Sequence, residues 1–216
     1  MGWRGTFISL EGVDGSGKST QARRLAAALG RAGAEVVSLR EPGGTRVSER
    51  VRALLLDPES APMAPEAELL LYEGSRAQLV REAIEPALAR GAVVVCDRFA
   101  DSTYAYQAWG RGIDEGVVRA ANALGTCGLA PDRTLVLDLD PELALARATR
   151  GAADRMEREG AGLQRRVRRG YLALAEAEPS RVRVVDAEGG EEVVWARVVA
   201  ALADVLPQLG DGGPDA

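Results

Sequence analysis

Histidine is absent from all 216 residues of the chain, so no step that needs an imidazole base or an imidazole ligand can belong to it. Lysine is almost absent: of 27 basic residues only Lys18 carries an ammonium group, and the others are arginine. Cysteine occurs at two distant positions, Cys96 and Cys127, which gives no disulfide framework and points to free thiols in a reducing cytoplasm. No apolar run approaches the length of a membrane span, and Met1-Gly2-Trp3-Arg4 leads straight into an apolar segment without a signal-peptide pattern. Positive charge is not in excess either, and a formal charge of −5 argues against a non-specific nucleic-acid binder. What remains is ordinary for one α/β domain, with 46% hydrophobic residues filling 1–209 and a Gly/Asp/Pro tail at 210–216 that is expected to be disordered.

The single lysine stands in the most informative stretch. Within residues 10–20, LEGVDGSGKST, Gly12, Gly17, Lys18 and Ser19 fill the pattern G-x-x-x-x-G-K-[ST]. The apolar run 6–10 before it reads as a buried strand, and from Ser19 onward Leu25, Ala26 and Leu29 fall at helical spacing. That is the context of a P-loop. Gly12, Gly15 and Gly17 let the backbone curl around Val13, Asp14 and Ser16, so that successive N–H groups through Thr20 face a phosphate at a helix N-terminus. Lys18 then reaches the β- and γ-phosphates and the Ser19 hydroxyl serves Mg²⁺. A chance glycine-rich turn is the alternative, but a shuffled chain of this composition matches on the order of 10⁻³ times. A compact ammonium is not interchangeable with a planar guanidinium, which explains why this one position escaped the bias toward arginine.

Further along, 36–39 reads as a second strand ending in Arg40-Glu41-Pro42-Gly43-Gly44-Thr45, a loop that should lie near the ligand because it follows a strand's carboxyl end. Residues 46–56 are helical by spacing, Pro58, Pro62 and Pro65 bound a surface connection, and 66–90 is a long helix with a break or kink at Pro86. Residues 92–96 are apolar on both faces, as a central parallel strand should be. At its carboxyl end, Asp97 is expected to make a second-shell or water-mediated Mg²⁺ contact and Arg98 to bridge two phosphates, unless the two are only a structural pair capping the strand.

After 101–107, Trp109-Gly110-Arg111-Gly112 reads as a mobile loop, followed by a helix at 114–124, a strand at 133–139 and a helix at 141–150. The charged stretch at about 150–162, with Arg147 and Arg150 before it and Arg155 and Arg158 within, is too poor in apolar residues to enter the core and suits a lid over the transferred phosphoryl group. Arg165, Arg166, Arg168 and Arg169 lie on a helix at 163–177 as a solvated face; a strand at 182–185 and a helix at 191–206 complete the chain. Five strands alternating with helices predict a five-stranded parallel sheet in a three-layer α/β/α fold of P-loop NTPase type.

A P-loop by itself specifies a nucleotide and not a reaction. A regulatory GTPase needs a second lysine in N-K-x-D, which this chain lacks, and motor ATPases need further basic elements; a lid and a strand-end arginine suit a kinase for a small phosphorylated acceptor. The combination of Glu11-Gly12-Val13-Asp14-Gly15-Ser16-Gly17-Lys18-Ser19, Arg40-Glu41-Pro42-Gly43-Gly44-Thr45, Asp97-Arg98-Phe99, Tyr106-Gln107 and Gly110-Arg111-Gly112 resembles the bacterial thymidylate kinase family, over residues 5–206 in order and spacing. The resemblance implies ATP and dTMP as substrates, Mg²⁺ held with Ser19 and Asp97, and a homodimer whose contact could come from apolar helix faces near 66–84 and 114–124.

The same resemblance implies a role for each site residue. Lys18, Arg98, Asp14 and Arg155 would be catalytic, and Arg147 would join the nucleotide site. Arg52 and Arg98 would hold phosphates, with Glu41, Ser102 and Gln107 lining the acceptor site, and Asp14 would accept the 3′-hydroxyl. Tyr72 would stack on thymine, with Arg76 on a base carbonyl one turn later; without the resemblance, the two would read as an ordinary helix with a surface arginine. Thr103 would meet the base edge, and Tyr106 would crowd the 2′ position. Three departures stand out: Tyr72 where many relatives have phenylalanine, Phe99 where some have tyrosine, and Gly15 where one subgroup has arginine, whose role would pass to Arg155 in Asp154-Arg155-Met156-Glu157. The rivals are a kinase for another nucleoside monophosphate or a deoxynucleoside, and a binding module switched by ATP.

Overall fold

In the computed structural model, residues 5–148 and 155–209 are described. The first part of the expected lid, with Arg150, and the tail at 210–216 therefore lie outside the described residues.

The central strand owes its place to its sequence. β1 (Thr6–Glu11) alternates Phe7 to one face and Ile8 and Leu10 to the other, and all are buried because layers cover both sides. β3 (Val93–Asp97) does the same with Val94 and Cys96 against Val93 and Val95. β1 pairs in parallel with β3 in the register Ile8↔Val95 and with β4 (Arg133–Asp138) in the register Leu10↔Leu135. β2 (Val36–Arg40) and β5 (Val182–Asp186) close the two edges, giving the order β2-β3-β1-β4-β5. Among the described residues the sheet is five-stranded and every pairing is parallel, as the alternation of strands and helices predicts.

One layer holds α1 (Lys18–Arg31), α8 (Gly160–Ala177) and α9 (Glu191–Leu202), whose Leu25, Leu29, Val167, Leu174 and Val198 pack on Ile8, Val95 and Leu135. Their 3- and 4-residue spacing puts these side chains on one stripe of each helix. The other face is covered by Leu79, Val80, Ile84 and Leu88. α2 (Arg46–Leu56) packs on α3 (Pro65–Leu79), and α3 on α6 (Glu115–Gly125). The hydroxyl of Thr45 caps α2 by accepting from the Ser48 N–H at 3.1 Å, and Asp114 caps α6 by accepting from the Val117 N–H at 3.2 Å.

The expected break at Pro86 takes a definite form. α3 runs into a π-helical turn (Val80–Ile84) and then α4 (Glu85–Ala89). Proline has no N–H and its ring collides with the carbonyl four residues back, and the wider π turn, closed by the Glu85 N–H on the Val80 carbonyl, absorbs both.

Three expectations need correction. Trp109 and Gly110 are not in a loop: α5 (Ala100–Thr103) continues as a second π turn (Tyr104–Gly110) packed along α8. Gly110 is there because a Cβ would lie 2.9 Å from Leu163 Cδ1, so the helices touch at that point. The stretch after the undescribed residues does enter the core, since Met156 is buried in the cluster around α8 and Arg155 is buried too. α9 ends at Leu202 rather than 206, with a short 3-10 turn at Pro207–Leu209 behind it.

Candidate active site

Three strand ends meet above the sheet. The segment after β1 curls through Gly12 (φ 139°), Gly15 (φ 82°) and Gly17 (φ 93°), conformations that favour glycine, and delivers Lys18 as the first residue of α1. At Gly15 a second constraint acts: a Cβ would lie 2.0 Å from the Ala144 carbonyl of α7 (Pro141–Ala148). An arginine at this position would therefore require α7 to move, which is a physical reason for the glycine. Ser16 Oγ is buried inside the loop without a hydrogen-bond partner, and Lys18 Nζ curls back to donate to the Val13 carbonyl at 2.7 Å. Burial and the nearby Arg98 charge push the Lys18 ammonium down to about 8, against the pull of Asp14, Asp97 and Glu11. A phosphate in the loop would give Ser16 Oγ a partner and the Lys18 ammonium a counter-charge.

Asp97 ends β3 and Arg98 follows it directly. The Ser19 hydroxyl donates to Asp97 Oδ2, so a hydroxyl and a carboxylate stand side by side at the mouth of the loop. Arg98 adopts φ 74°, a strained conformation for a side-chain-bearing residue. Its Nη2 donates to Asp14 Oδ1 at 2.5 Å and to the Tyr106 hydroxyl at 3.2 Å; its Nη1 donates to Ser102 Oγ at 3.1 Å and the Tyr171 hydroxyl at 3.2 Å. Burial pushes the Asp14 carboxyl up, but Arg98, Lys18 and donors from Gln164 and Tyr106 outweigh it and hold the group below its ordinary range. Asp14 is thus an ionised acceptor.

The cleft between these groups and α3 has a volume of about 320 Å³. Asp14, Gly15, Lys18, Ser19, Asp97 and Arg98 from the loop and the β3 end line it together with Tyr72 and Arg76 of α3, Thr103, Tyr106 and Gln107, and Glu41, Arg52 and Ser102. The sequence-derived pair Tyr72 and Arg76 therefore faces the same cavity as Lys18. Arg76 is only 1% exposed and is far from a surface arginine. Its Nε donates to Glu41 Oε2 at 2.9 Å, Nη1 to Glu73 Oε1 at 2.5 Å and Asn122 Oδ1 at 3.0 Å, and Nη2 to the Phe99 carbonyl at 3.2 Å. Nη2 also lies 2.8 Å from Glu41 Oε2, so Nε and both Nη groups all face protein acceptors and the guanidinium is held firmly at the cleft wall. Thr103 Oγ1 and Glu41 Oε1 are buried in the same region without partners. Burial pushes Glu41 up to about 7 despite Arg76, with Glu73 and Glu11 adding to the rise. Polar groups left unpaired at the wall of a cavity are complementary to a polar, planar guest.

Several expected site residues stand apart. Gly12, Val13, Ser16, Gly17 and Thr20 form the loop and the start of α1 rather than the cleft wall. Arg147, exposed on the last turn of α7, donates to the Ala187 carbonyl at 3.4 Å behind β5. Arg155 does not line the cleft: its Nε donates to the Leu55 carbonyl at 2.7 Å and its Nη2 pairs with Glu68 Oε2 at 2.7 Å. Glu68, buried, also accepts from Gln107 at 2.7 Å and from Arg111 at 3.0 Å. In this structure Arg155 ties the segment after 154 to α2 and α3.

Sequence reading passed over Glu11, Glu68, Gln164 and Tyr171. Glu11 carried a signal, a carboxylate closing an apolar strand, while Tyr171 falls on the apolar stripe of α8 and its hydroxyl gives no sign in the spacing.

Comparisons with known proteins point to one family. A family model described as thymidylate kinase matches residues 10–198. The chain is similar to a thymidylate kinase of Desulfosudis oleivorans, 50% identical over 92% of this chain and 97% of that protein. It is equally similar to one of Deinococcus radiodurans, 50% identical over 93% of this chain and 98% of that protein. Among solved structures, a crystal structure of thymidylate kinase from Ehrlichia chaffeensis superposes with a TM-score of 0.75 at 33% identity, covering 92% of this chain and 98% of that one.

Proposed function

The chain belongs to the thymidylate kinase family, and from that premise we propose that it transfers the γ-phosphoryl group of ATP to dTMP, giving dTDP, inside the cleft between Lys18 and Arg76. The observation that carries this reading is that one cleft is lined both by Lys18 and Arg98 beside the P-loop and by the Tyr72 ring with the unpaired Thr103 Oγ1 and Glu41 Oε1 close by. Phosphates belong with the first set and a pyrimidine with the second. Tyr72 offers its ring to thymine, the Arg76 guanidinium meets a base carbonyl, and Thr103 Oγ1 meets the base edge. Asp14 accepts the 3′-hydroxyl, and the Tyr106 hydroxyl, 3.1 Å from Asp14 Oδ2, fills space a ribose 2′-hydroxyl would need.

The attacking atom is an oxygen of the dTMP phosphate, already largely anionic near neutral pH because the second pKa of a phosphate monoester is about 6. No strong base is needed, in keeping with a chain that has no histidine. Lys18, the P-loop N–H groups and Arg98 hold donor and acceptor phosphates in line and stabilise the charge that spreads over the transferred group as the bond to the β-phosphate oxygen breaks. Ser19 Oγ and Asp97 Oδ2 are two hard oxygen donors in contact at the loop mouth, a donor set that suits Mg²⁺, which keeps several waters and takes its other ligands from substrate phosphates. When bound there, the ion neutralises phosphate charge. An ADP-release assay over dTMP, dUMP, dCMP, AMP and thymidine tests the reading: strong preference for dTMP is expected, and turnover indifferent to the acceptor would refute it.

A homodimer fits the surface. The neighbouring helices α2, α3 and α6 carry exposed Leu54, Leu70 (67% exposed), Val117 and Leu124 (79% exposed). Exposed leucines gathered on adjacent helices are the composition of an interface core. Replacing Leu70 and Leu124 by aspartate is expected to convert a dimer into a monomer in sedimentation equilibrium; an unchanged mass would place the contact elsewhere.

A further inference from the structure

The last residue of β1, Glu11, is 0% exposed, and nothing in the reaction outlined above calls for a carboxylate there. Its contacts single it out. Oε1 accepts the Phe99 N–H at 2.6 Å, and Oε2 accepts the Ser102 hydroxyl at 2.6 Å and the Tyr171 hydroxyl at 2.8 Å. Each of these three donors is one step from Arg98. Phe99 is the residue after it, so its N–H bond pins the backbone where Arg98 holds φ 74°. The Ser102 and Tyr171 oxygens both accept from Arg98 Nη1.

We propose that Glu11 is a positioning residue for phosphoryl transfer: its carboxylate fixes both the strained backbone and the guanidinium of Arg98 through Phe99, Ser102 and Tyr171. The proposal rests on the reading that Arg98 serves the phosphates of dTMP and ATP.

The polarity of the cluster requires an acceptor at its centre. A hydroxyl has one hydrogen; when Ser102 and Tyr171 both spend theirs on Glu11, both turn lone pairs toward Arg98 Nη1. A carboxylate accepts all three donors at once, whereas a carboxamide of the same shape has one acceptor oxygen and must set its NH₂ against either the Phe99 N–H or the two hydroxyls. In the second case the hydroxyl hydrogens swing toward the guanidinium and the Nη1 bonds are lost. Burial, with the neighbouring Asp101 carboxylate adding to it, pushes Glu11 up to about 7, opposed by Arg98 and by the Ser102 and Phe99 bonds. An acid raised in the folded state above its ordinary value costs stability as pH rises from about 4.5 through 7. The ionised form, which accepts all three donors, therefore prevails as pH rises above about 7. Tyr171 and Gln164 come from α8, the helix after the undescribed residues, and Gln164 donates to Asp14 Oδ2 at 2.9 Å, so α8 grips both members of the Arg98–Asp14 pair.

The experiment is a double-mutant cycle of Glu11→Gln and Arg98→Ala in the full chain, read as kcat and KM for dTMP at saturating ATP, with melting curves for every variant. Glu11→Gln in the wild-type background is expected to lower kcat about 10²-fold, the usual effect of misplacing a catalytic group by an ångström, with KM for dTMP changed much less. In the Arg98→Ala background the same change is expected to have little further effect on kcat, because its target is gone. Equal loss in both backgrounds, or a loss of kcat that tracks a fall in melting temperature, would overturn the proposal. Should Glu11→Gln unfold the chain, Tyr171→Phe, which keeps the ring and removes one link, must show the same dependence on Arg98. A wild-type protein that turns over dTMP while Glu11→Gln leaves kcat intact refutes the positioning role alone; a wild-type protein inactive on dTMP refutes the reading beneath it.

Discussion

Replacement of Lys18 by alanine is expected to lower kcat by about 10³-fold, with melting temperature changed by only a few degrees. Removing one preorganised donor from a developing oxyanion lowers kcat by about 10² to 10³-fold, and Lys18 also removes a full charge from a desolvated loop. Its side chain is 6% exposed and donates to a carbonyl of its own loop, so little of the fold hangs on it. Lys18→Arg is not expected to restore the rate: the loop seats a compact ammonium, and a planar fork needs space that the curled backbone does not offer. In a chain where every other cation is arginine, this variant asks directly why one is not. Parallel kinetics and melting curves decide it, and a rate loss explained by unfolding would refute a catalytic role.

The second large effect is at Arg98, and it has two parts. Arg98→Ala should lower kcat by about 10³-fold, because the group that spans two phosphates is gone. It should also lower stability by about 1–2 kcal/mol, since the partly buried Asp14 would lose its nearest opposite charge while keeping Lys18, Gln164 and Tyr106. Arg98→Lys should recover part of the stability and little of the rate: a single ammonium can face Asp14 but cannot reach Ser102, Tyr171, Tyr106 and a phosphate together. Chemical denaturation separates the two parts. Wild-type kcat in Arg98→Lys would contradict a role for the fork.

How far the sequence disclosed the molecule depended on the range of the signal. Period-2 and period-3.6 patterns placed the strands and most helices, because burial on both faces of β1 and β3 leaves no other reading of Phe7–Leu10 and Val93–Cys96. The P-loop was legible because its chemistry is local: one lysine and three glycines within seven residues. Tyr72 and Arg76 were legible as a pair on one helix face, but not that Arg76 is fully buried, since Glu41, Glu73 and Asn122 reach it from three separate segments. Trp109 and Gly110 misled for the opposite reason. The glycines at 110 and 112 suggested a loop over 109–112, while packing on α8 and hydrogen bonds from Tyr106 to Asp14 and from Gln107 to Glu68 hold a buried helix that runs to Gly110.

Arg155 shows the same limit at the site itself. A guanidinium in a charged, glycine-flanked stretch suits a phosphate by its type, and only the fold reveals that Glu68, 87 positions earlier, claims it. That ion pair, together with Arg111 and Gln107 on the same carboxylate, makes Glu68 the tie between the segment after 154 and the wall of the acceptor cleft.

The most direct test is a crystal structure of the protein with dTMP and a non-hydrolysable ATP analogue. The thymine ring should lie on Tyr72 with a carbonyl oxygen at Arg76 Nη2, the 3′-hydroxyl at Asp14, and the two sets of phosphates meeting between Lys18 and Arg98. A base bound away from Tyr72 and Arg76, or a dTMP phosphate directed away from Lys18, would contradict the proposed site.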